Sequence, residues 1–211
     1  MGGNLLKGKI INSHSRFGGF RFWATALLIV AFVALYICHS YVDLSYRRDL
    51  VDSGQWWRLF SGQFVHNNNS HLFSNMAALL LCRVLLSIVY GERDFILSLL
   101  SCAFMTGVLI HFLLPSYEYY LGVSAALYGV LIAGALAMWR GRPYAGASLF
   151  VLIIAKLSLD YLVPDSVDGV SERIGVPVAV EAHFVGVFAG VLVGVGEAAL
   201  GLIRPAALPP K

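Results

Sequence analysis

Apolar runs of about twenty residues, separated by short polar turns, recur along this chain from Trp23 to Leu202. A helix rises about 1.5 Å per residue, so each run is long enough to cross roughly 30 Å of hydrocarbon. The runs fall near 23–42, 70–90, 94–114, 122–139, 145–163 and 178–203. Only 13% of the 211 residues are charged and 58% are hydrophobic, with a mean hydropathy of +0.75. That is too little charge to keep the surface of an ordinary soluble domain wet. The expected fold is an all-α membrane protein, a bundle of six transmembrane helices with the lipid bilayer as its solvent.

Six spans leave both ends on one side, and the basic residues say which. Lys7, Lys9, Arg16, Arg21, Arg93, Arg140, Arg142, Arg204 and Lys211 fall on that side. Arg47, Arg48, Arg58 and Arg173 fall on the other, while Arg83 and Lys156 lie within spans. Lys and Arg collect on the cytoplasmic face, so both termini are expected there. Residues 1–22 read as a basic cytoplasmic segment, 23–204 as one helical core with a long outer loop at 43–69, and 205–211 as a short tail. The first run is too long for a signal peptide, and no small-x-small cleavage site follows it. A net charge of +3 is too modest to imply nucleic acid as a partner. Cys38, Cys82 and Cys102 are odd in number, lie in apolar runs, and read as packing residues.

Three polar clusters interrupt this apolar background. The first is Gly122-Val-Ser124 at the head of the fourth span, with Tyr128 one turn on and Gly129 beside it. A serine among small residues is by itself ordinary helix packing in lipid. The second is His66-Asn-Asn-Asn-Ser-His71-Leu-Phe-Ser-Asn75 at the head of the second span. His71 and Asn75 share a face, and His66 precedes the helix and can fold back towards it. Capping by Asn69 or Ser70 accounts for part of this polarity. A metal site is not expected, because no third strong ligand lies at suitable spacing. The third is Glu181-Ala-His183, near the head of the last span, above a stripe of Gly186, Gly190 and Gly194 that permits close helix approach.

The second, fourth and sixth spans run in the same direction, so all three clusters reach the outer side at similar depth. A hydrated cavity open to the outside follows, and its groups suffice for acyl transfer. Ser124 is the candidate nucleophile and His183 its base. His66, Asn75 and the Ser124 backbone N–H are candidate oxyanion donors. Tyr128 is placed to pack on the His183 ring. No acid stands as a third member, so a dyad is expected. Lys156 and Asp160, four apart in the fifth span, form a candidate structural ion pair. Trp56-Trp57-Arg58 in the long loop suit the headgroup zone.

Taken together, Trp57-Arg58, His66-x4-His71-x3-Asn75, Gly122-x-Ser124 with Tyr128, and His183-x2-Gly186-x3-Gly190 resemble the rhomboid intramembrane serine proteases, in family order and over the whole core. The resemblance implies the six-helix rhomboid bundle, with Ser124 as nucleophile, His183 as base and His66 and Asn75 as oxyanion contributors. It gives His71 a supporting role, implies no cofactor, and takes membrane proteins as substrates. Gly122, Gly129, Gly186 and Gly190 read as helix-packing positions. Ala125 departs from the pattern, where glycine usually follows the serine, and its methyl is expected to narrow the approach to Ser124.

Gly54-Gln-Trp-Trp-Arg58, the segment from Ile174 to His183, and the Lys156/Asp160 pair resemble the bacterial rhombosortases. That subfamily implies single-pass substrates with a C-terminal Gly-Gly motif, an inner-membrane location and an active site open to the periplasm. The rival readings are a rhomboid protease with other substrates, a non-catalytic relative that chaperones membrane clients, and a small transporter. Retention of both Ser124 and His183 disfavours the chaperone. The absence of an internal repeat disfavours the transporter.

Overall fold

The computed structural model describes residues 23–139 and 141–202. The basic segment 1–22, Arg140 and the tail 205–211 lie outside the described residues. In chain order the elements are α1 (Trp23–His39), β1 (Tyr46–Arg47), α2 (Arg48–Asp52), α3 (Arg58–Ser61), α4 (Asn69–Leu86), α5 (Glu92–Leu113), β2 (Tyr119–Tyr120), α6 (Ser124–Met138), α7 (Pro143–Leu162), α8 (Asp165–Ile174) and α9 (Val180–Ala199). The fold is mostly helical, and one helix of 15 to 22 residues falls in each apolar run. Of these, α5, α7 and α9 are long and apolar enough to cross a membrane. The apolar helices α1 and α6 are shorter, at 17 and 15 residues. Helix α4 has 18 residues and buries His71, Asn75 and Arg83 among its apolar ones.

Helix α6 is the centre of the bundle. It is apolar all round and buried on nearly every face, as a helix enclosed by others should be. It packs most closely on α9, and glycine makes that approach possible. A Cβ at Gly186 would collide with the Ala125 carbonyl, and one at Gly190 with the Gly129 carbonyl. A Cβ at Gly129 would sit 2.8 Å from the Gly186 carbonyl oxygen. Lipid supplies no hydrophobic force between helices, so such backbone-to-backbone packing is what holds them.

The segment between α1 and α4 is an ordered brace rather than an open loop. Its strand β1 pairs antiparallel with β2, Tyr46 opposite Tyr120 and Arg47 opposite Tyr119. Helix α3 lies on α5, where a Cβ at Gly107 would strike the Leu59 carbonyl. Arg58 corrects the headgroup expectation. It is buried, donating from Nε to Gln55 Oε1 at 2.8 Å and from an Nη to the Ser45 carbonyl at 2.7 Å. Its guanidinium lies over the Trp57 ring, 4.5 Å from the centroid. Trp56 and Trp57 themselves are exposed.

Helix α8 was not expected between the last two spans. Pro164 precedes it, Asp165 and Asp168 fill its first turn, Arg173 its last, and Gly175 ends it at a φ of +74°. Those are ordinary start and stop signals.

Candidate active site

The turn before α6 sets the geometry. Gly122 has a φ of +108°, a conformation that side chains other than glycine rarely adopt. Its N–H donates to the Gly62 carbonyl at 3.0 Å, which ties the turn to the α1–α4 brace. The Tyr120 hydroxyl donates to the Gly122 carbonyl, also at 3.0 Å. Burial pushes that hydroxyl up to about 12, so it remains a donor. Gly122 was expected to pack helices. It instead shapes this turn, and a Cβ on it would lie 2.7 Å from His71 Nε2 and 3.5 Å from Asn75 Nδ2.

Ser124 follows as the first residue of α6, where helical N–H groups have no carbonyl within the helix to bond. Its Oγ lies 2.9 Å from Nε2 of His183, in the first turn of α9. The Tyr128 ring, one turn below Ser124, sits 4.8 Å from the His183 ring at 43°. Nδ1 of His183 is buried without a hydrogen-bond partner among the described residues. The glycine contacts between α6 and α9 therefore fix the distance between the serine and the imidazole.

A cavity of about 120 Å³ opens beside this pair. His71, Asn75, Tyr120, Ser124 and His183 line one side, and apolar residues from Val170 to Ala179 line the other. Asn75 Nδ2 is buried there without a hydrogen-bond partner among the described residues. The apolar side is tied to the start of α4. Asn67 and Asn68 donate from their Nδ2 atoms to the carbonyls of Ile174 and Arg173, at 3.0 and 3.1 Å. Asn68 also caps α4, accepting from the His71 N–H at 2.9 Å, a role expected of Asn69 or Ser70.

Two expectations need correction. His66 does not line the cavity. It is wholly buried, 5.9 Å from the Phe32 ring and 5.0 Å from the His71 ring, and burial pushes it down to about 3. Since α4 begins at Asn69, His66 sits before the helix and under α1, while His71 and Asn75 project together. His71 thus occupies the position foreseen for His66. Ala125 does not narrow the cavity either. It is fully buried and packs in a cluster with Tyr46, Leu59, Ile110 and Val185. The second residue of a helix points away from the first, so its methyl enters the core.

Lys156 Nζ contacts both carboxylate oxygens of Asp160, and Ser166 Oγ donates to one of them at 3.3 Å. The pair is lopsided: the Asp160 side chain is 4% exposed and that of Lys156 is 56% exposed. Among the described residues, no group of three or more His, Cys, Asp or Glu converges as metal ligands would.

The fold and this site define a helical membrane protein with a serine hydroxyl set against an imidazole. A model of the Rhomboid domain matches residues 53–199. The chain belongs to the rhomboid family, whose members are in general serine intramembrane proteases. No curated protein matches it.

Proposed function

We propose that the protein is an intramembrane serine endopeptidase in which Ser124 is the nucleophile and His183 the general base. The observation that carries this reading is the 2.9 Å approach of Ser124 Oγ to His183 Nε2 beside a cavity with His71 and Asn75 in its wall. As Oγ bonds to the scissile carbonyl carbon, its proton passes to Nε2 and negative charge gathers on the carbonyl oxygen. In this reading His71 Nε2 and Asn75 Nδ2, which lie together beside Gly122, and the Ser124 N–H are the donors to that oxygen. Collapse breaks the C–N bond, and the Nε2 proton goes to the departing amine. A water then repeats the cycle, giving the acid and restoring Ser124.

In this reading six helices span the membrane, since α1, α4 and α6 are embedded with α5, α7 and α9. Residues 23–204 form the core, and both ends face the cytoplasm. The cavity opens at the outer face of a bacterial inner membrane. Substrates are single-pass membrane proteins, and the rhombosortase resemblance favours those with a C-terminal Gly-Gly junction. A carbonyl inside a membrane helix is already hydrogen-bonded and must be freed before attack. Glycine weakens a helix by roughly 1 kcal/mol relative to alanine, so a Gly-Gly junction unwinds readily. The small volume beside Ser124 admits such residues, and Ala125 has no part in that selection.

The test is co-expression with a single-pass protein carrying a Gly-Gly junction before its membrane helix, with new termini mapped by mass. Cleavage at the junction is expected, lost with Ser124→Ala and with two leucines in place of the glycines. Cleavage of the leucine variant at the same bond would contradict the substrate reading, and cleavage by Ser124→Ala the mechanism.

A further inference from the structure

A Ser-His dyad leaves one physical question open. When Nε2 takes the serine proton, His183 becomes a cation inside the bundle, and its Nδ1 has no hydrogen-bond partner among the described residues. A buried cation is costly unless a compensating charge is already in place. In a triad a carboxylate bonded to Nδ1 supplies it.

Helix α7 offers a compensating charge of another kind. Its Ile153 and Leu157 pack in one cluster with Val187 of α9, with Tyr128 and Phe184 against it. The Tyr161 ring meets the Phe184 ring edge-on at 6.1 Å. Asp160 lies one turn beyond Lys156 on this helix, its carboxylate buried while the Lys156 side chain is half exposed. The pair is thus a dipole with its negative end inside the bundle. Asp160 stands one turn beyond Leu157 on α7 and His183 one turn before Val187 on α9, so the carboxylate and the imidazole lie at the same end of this shared cluster, with the Tyr128 ring 4.8 Å from that of His183. Among the described residues, the other titratable groups beside His183 are Glu181, two residues earlier on its own helix, and His71 of α4, which lines the same cavity. Glu181 is exposed and accepts a hydrogen bond from the Tyr117 hydroxyl at 2.7 Å.

We propose that Asp160 is a positioning residue for proteolysis, a carboxylate that stabilises the His183 imidazolium through space, with Lys156 as the counter-charge that limits its effect. This deepens the dyad reading and rests on it. The field is pre-organised, because Lys156 and Ser166 hold the carboxylate before any substrate arrives. It differs from a structural salt bridge in one testable way. Removing either partner of a structural pair harms the protein in the same direction, whereas removing opposite charges displaces a nearby titration in opposite directions.

The experiment measures the rate of Ser124 modification by a fluorophosphonate probe against pH. It uses the full chain in detergent, as wild type, Lys156→Met, Asp160→Asn and the double variant. In the wild type the rate falls at acid pH as His183 protonates. Lys156→Met is expected to move that limb to higher pH and Asp160→Asn to lower pH, each by up to about one unit. The double variant should fall between the two. Should Asp160→Asn fail to fold, Lys156→Met against the double variant isolates the carboxylate, and the limb of the double must lie at lower pH. Limbs that coincide, or move together, overturn the proposal while leaving the dyad intact. A wild-type chain in which Ser124 does not react overturns the dyad and this inference with it.

Discussion

Helices α9 and α8 bound the same cavity, yet they are held by different means. Helix α9 lies against α6 along a stripe where backbone touches backbone, and methyl groups would collide at Gly186 and Gly190. Helix α8 has one buried residue, Ile174, and a Cβ added at its inner glycine, Gly169, would meet nothing within 4 Å. Its recorded ties to the start of α4 are the two asparagine bonds to its last carbonyls. Helix α7, which leads into α8, buries Gly146, Ile153, Leu157 and Asp160, whereas α9, of the same length, buries nine residues. Ser124 and His183, the proposed nucleophile and base, therefore stand on the dense side, where a fraction of an ångström matters. The apolar wall that faces them stands on the loose side.

One methyl group placed on each side gives the first test. Gly186→Ala pushes a Cβ into the Ala125 carbonyl, so α9 must move away from α6. Overpacking of this sort costs about 1–3 kcal/mol and occasionally more. Thermal unfolding in detergent should show the loss, and Ser124 reactivity should fall with it. A variant as stable and reactive as the wild type would mean that the glycine contact does not set the dyad.

Next in size are the groups on the polar wall of the cavity. His71→Ala and Asn75→Ala should each lower turnover by about 10²–10³, the usual cost of one oxyanion donor. Thermal stability should change less than it does in Gly186→Ala. Wild-type turnover in both variants would remove these two from the oxyanion role.

His66, buried between Phe32 of α1 and His71 of α4, lies away from both sides and tests burial by itself. Burial, then its neighbours His71 and His39, lower its value from 6.5 to about 3. Below pH 6.5 the unfolded chain binds a proton at this ring that the folded chain does not. Stability contributed above 6.5 is therefore lost as pH falls towards about 3. A plot of melting temperature against pH should slope down over that window, and His66→Leu should make the slope shallower. An unchanged slope would contradict the burial account.

The smallest effect belongs to the loose side. Gly169→Ala adds a methyl to an exposed helix interior with open space around it. It should stabilise the protein by roughly 0.5–1 kcal/mol. A loss comparable to that of Gly186→Ala would erase the contrast between the two sides.

Much of the site was legible because polar residues are conspicuous in an apolar chain. Ser124, His183 and Asn75 stand out for that reason, and Gly186 and Gly190 through their four-residue spacing. The expected placing of His66 beside Ser124 went astray although the signal was present. His71 and Asn75 are four apart and share a helical face, which should have outweighed the placing of His66 ahead of the helix. Helix α8 was also within reach, since Pro164, Asp165, Asp168, Arg173 and Gly175 mark its start and stop. Its polar surface reads as a loop when attention is on membrane spans. The Gly62–Gly122 bond and the burial of Arg58 were beyond local reasoning. Both depend on how residues 43–68 fold back on α5 and β2, and nothing in local spacing encodes that.

The central claim is that the packing of α6 on α9 makes Ser124 a nucleophile through His183. Its most direct measurement is fluorophosphonate labelling of the detergent-solubilised chain at neutral pH, with the adduct mapped by mass. A single adduct on Ser124 is predicted, strongly slowed in a His183→Ala variant whose melting temperature stays near that of the wild type. An adduct on another residue, or undiminished labelling of Ser124 in His183→Ala, would contradict it.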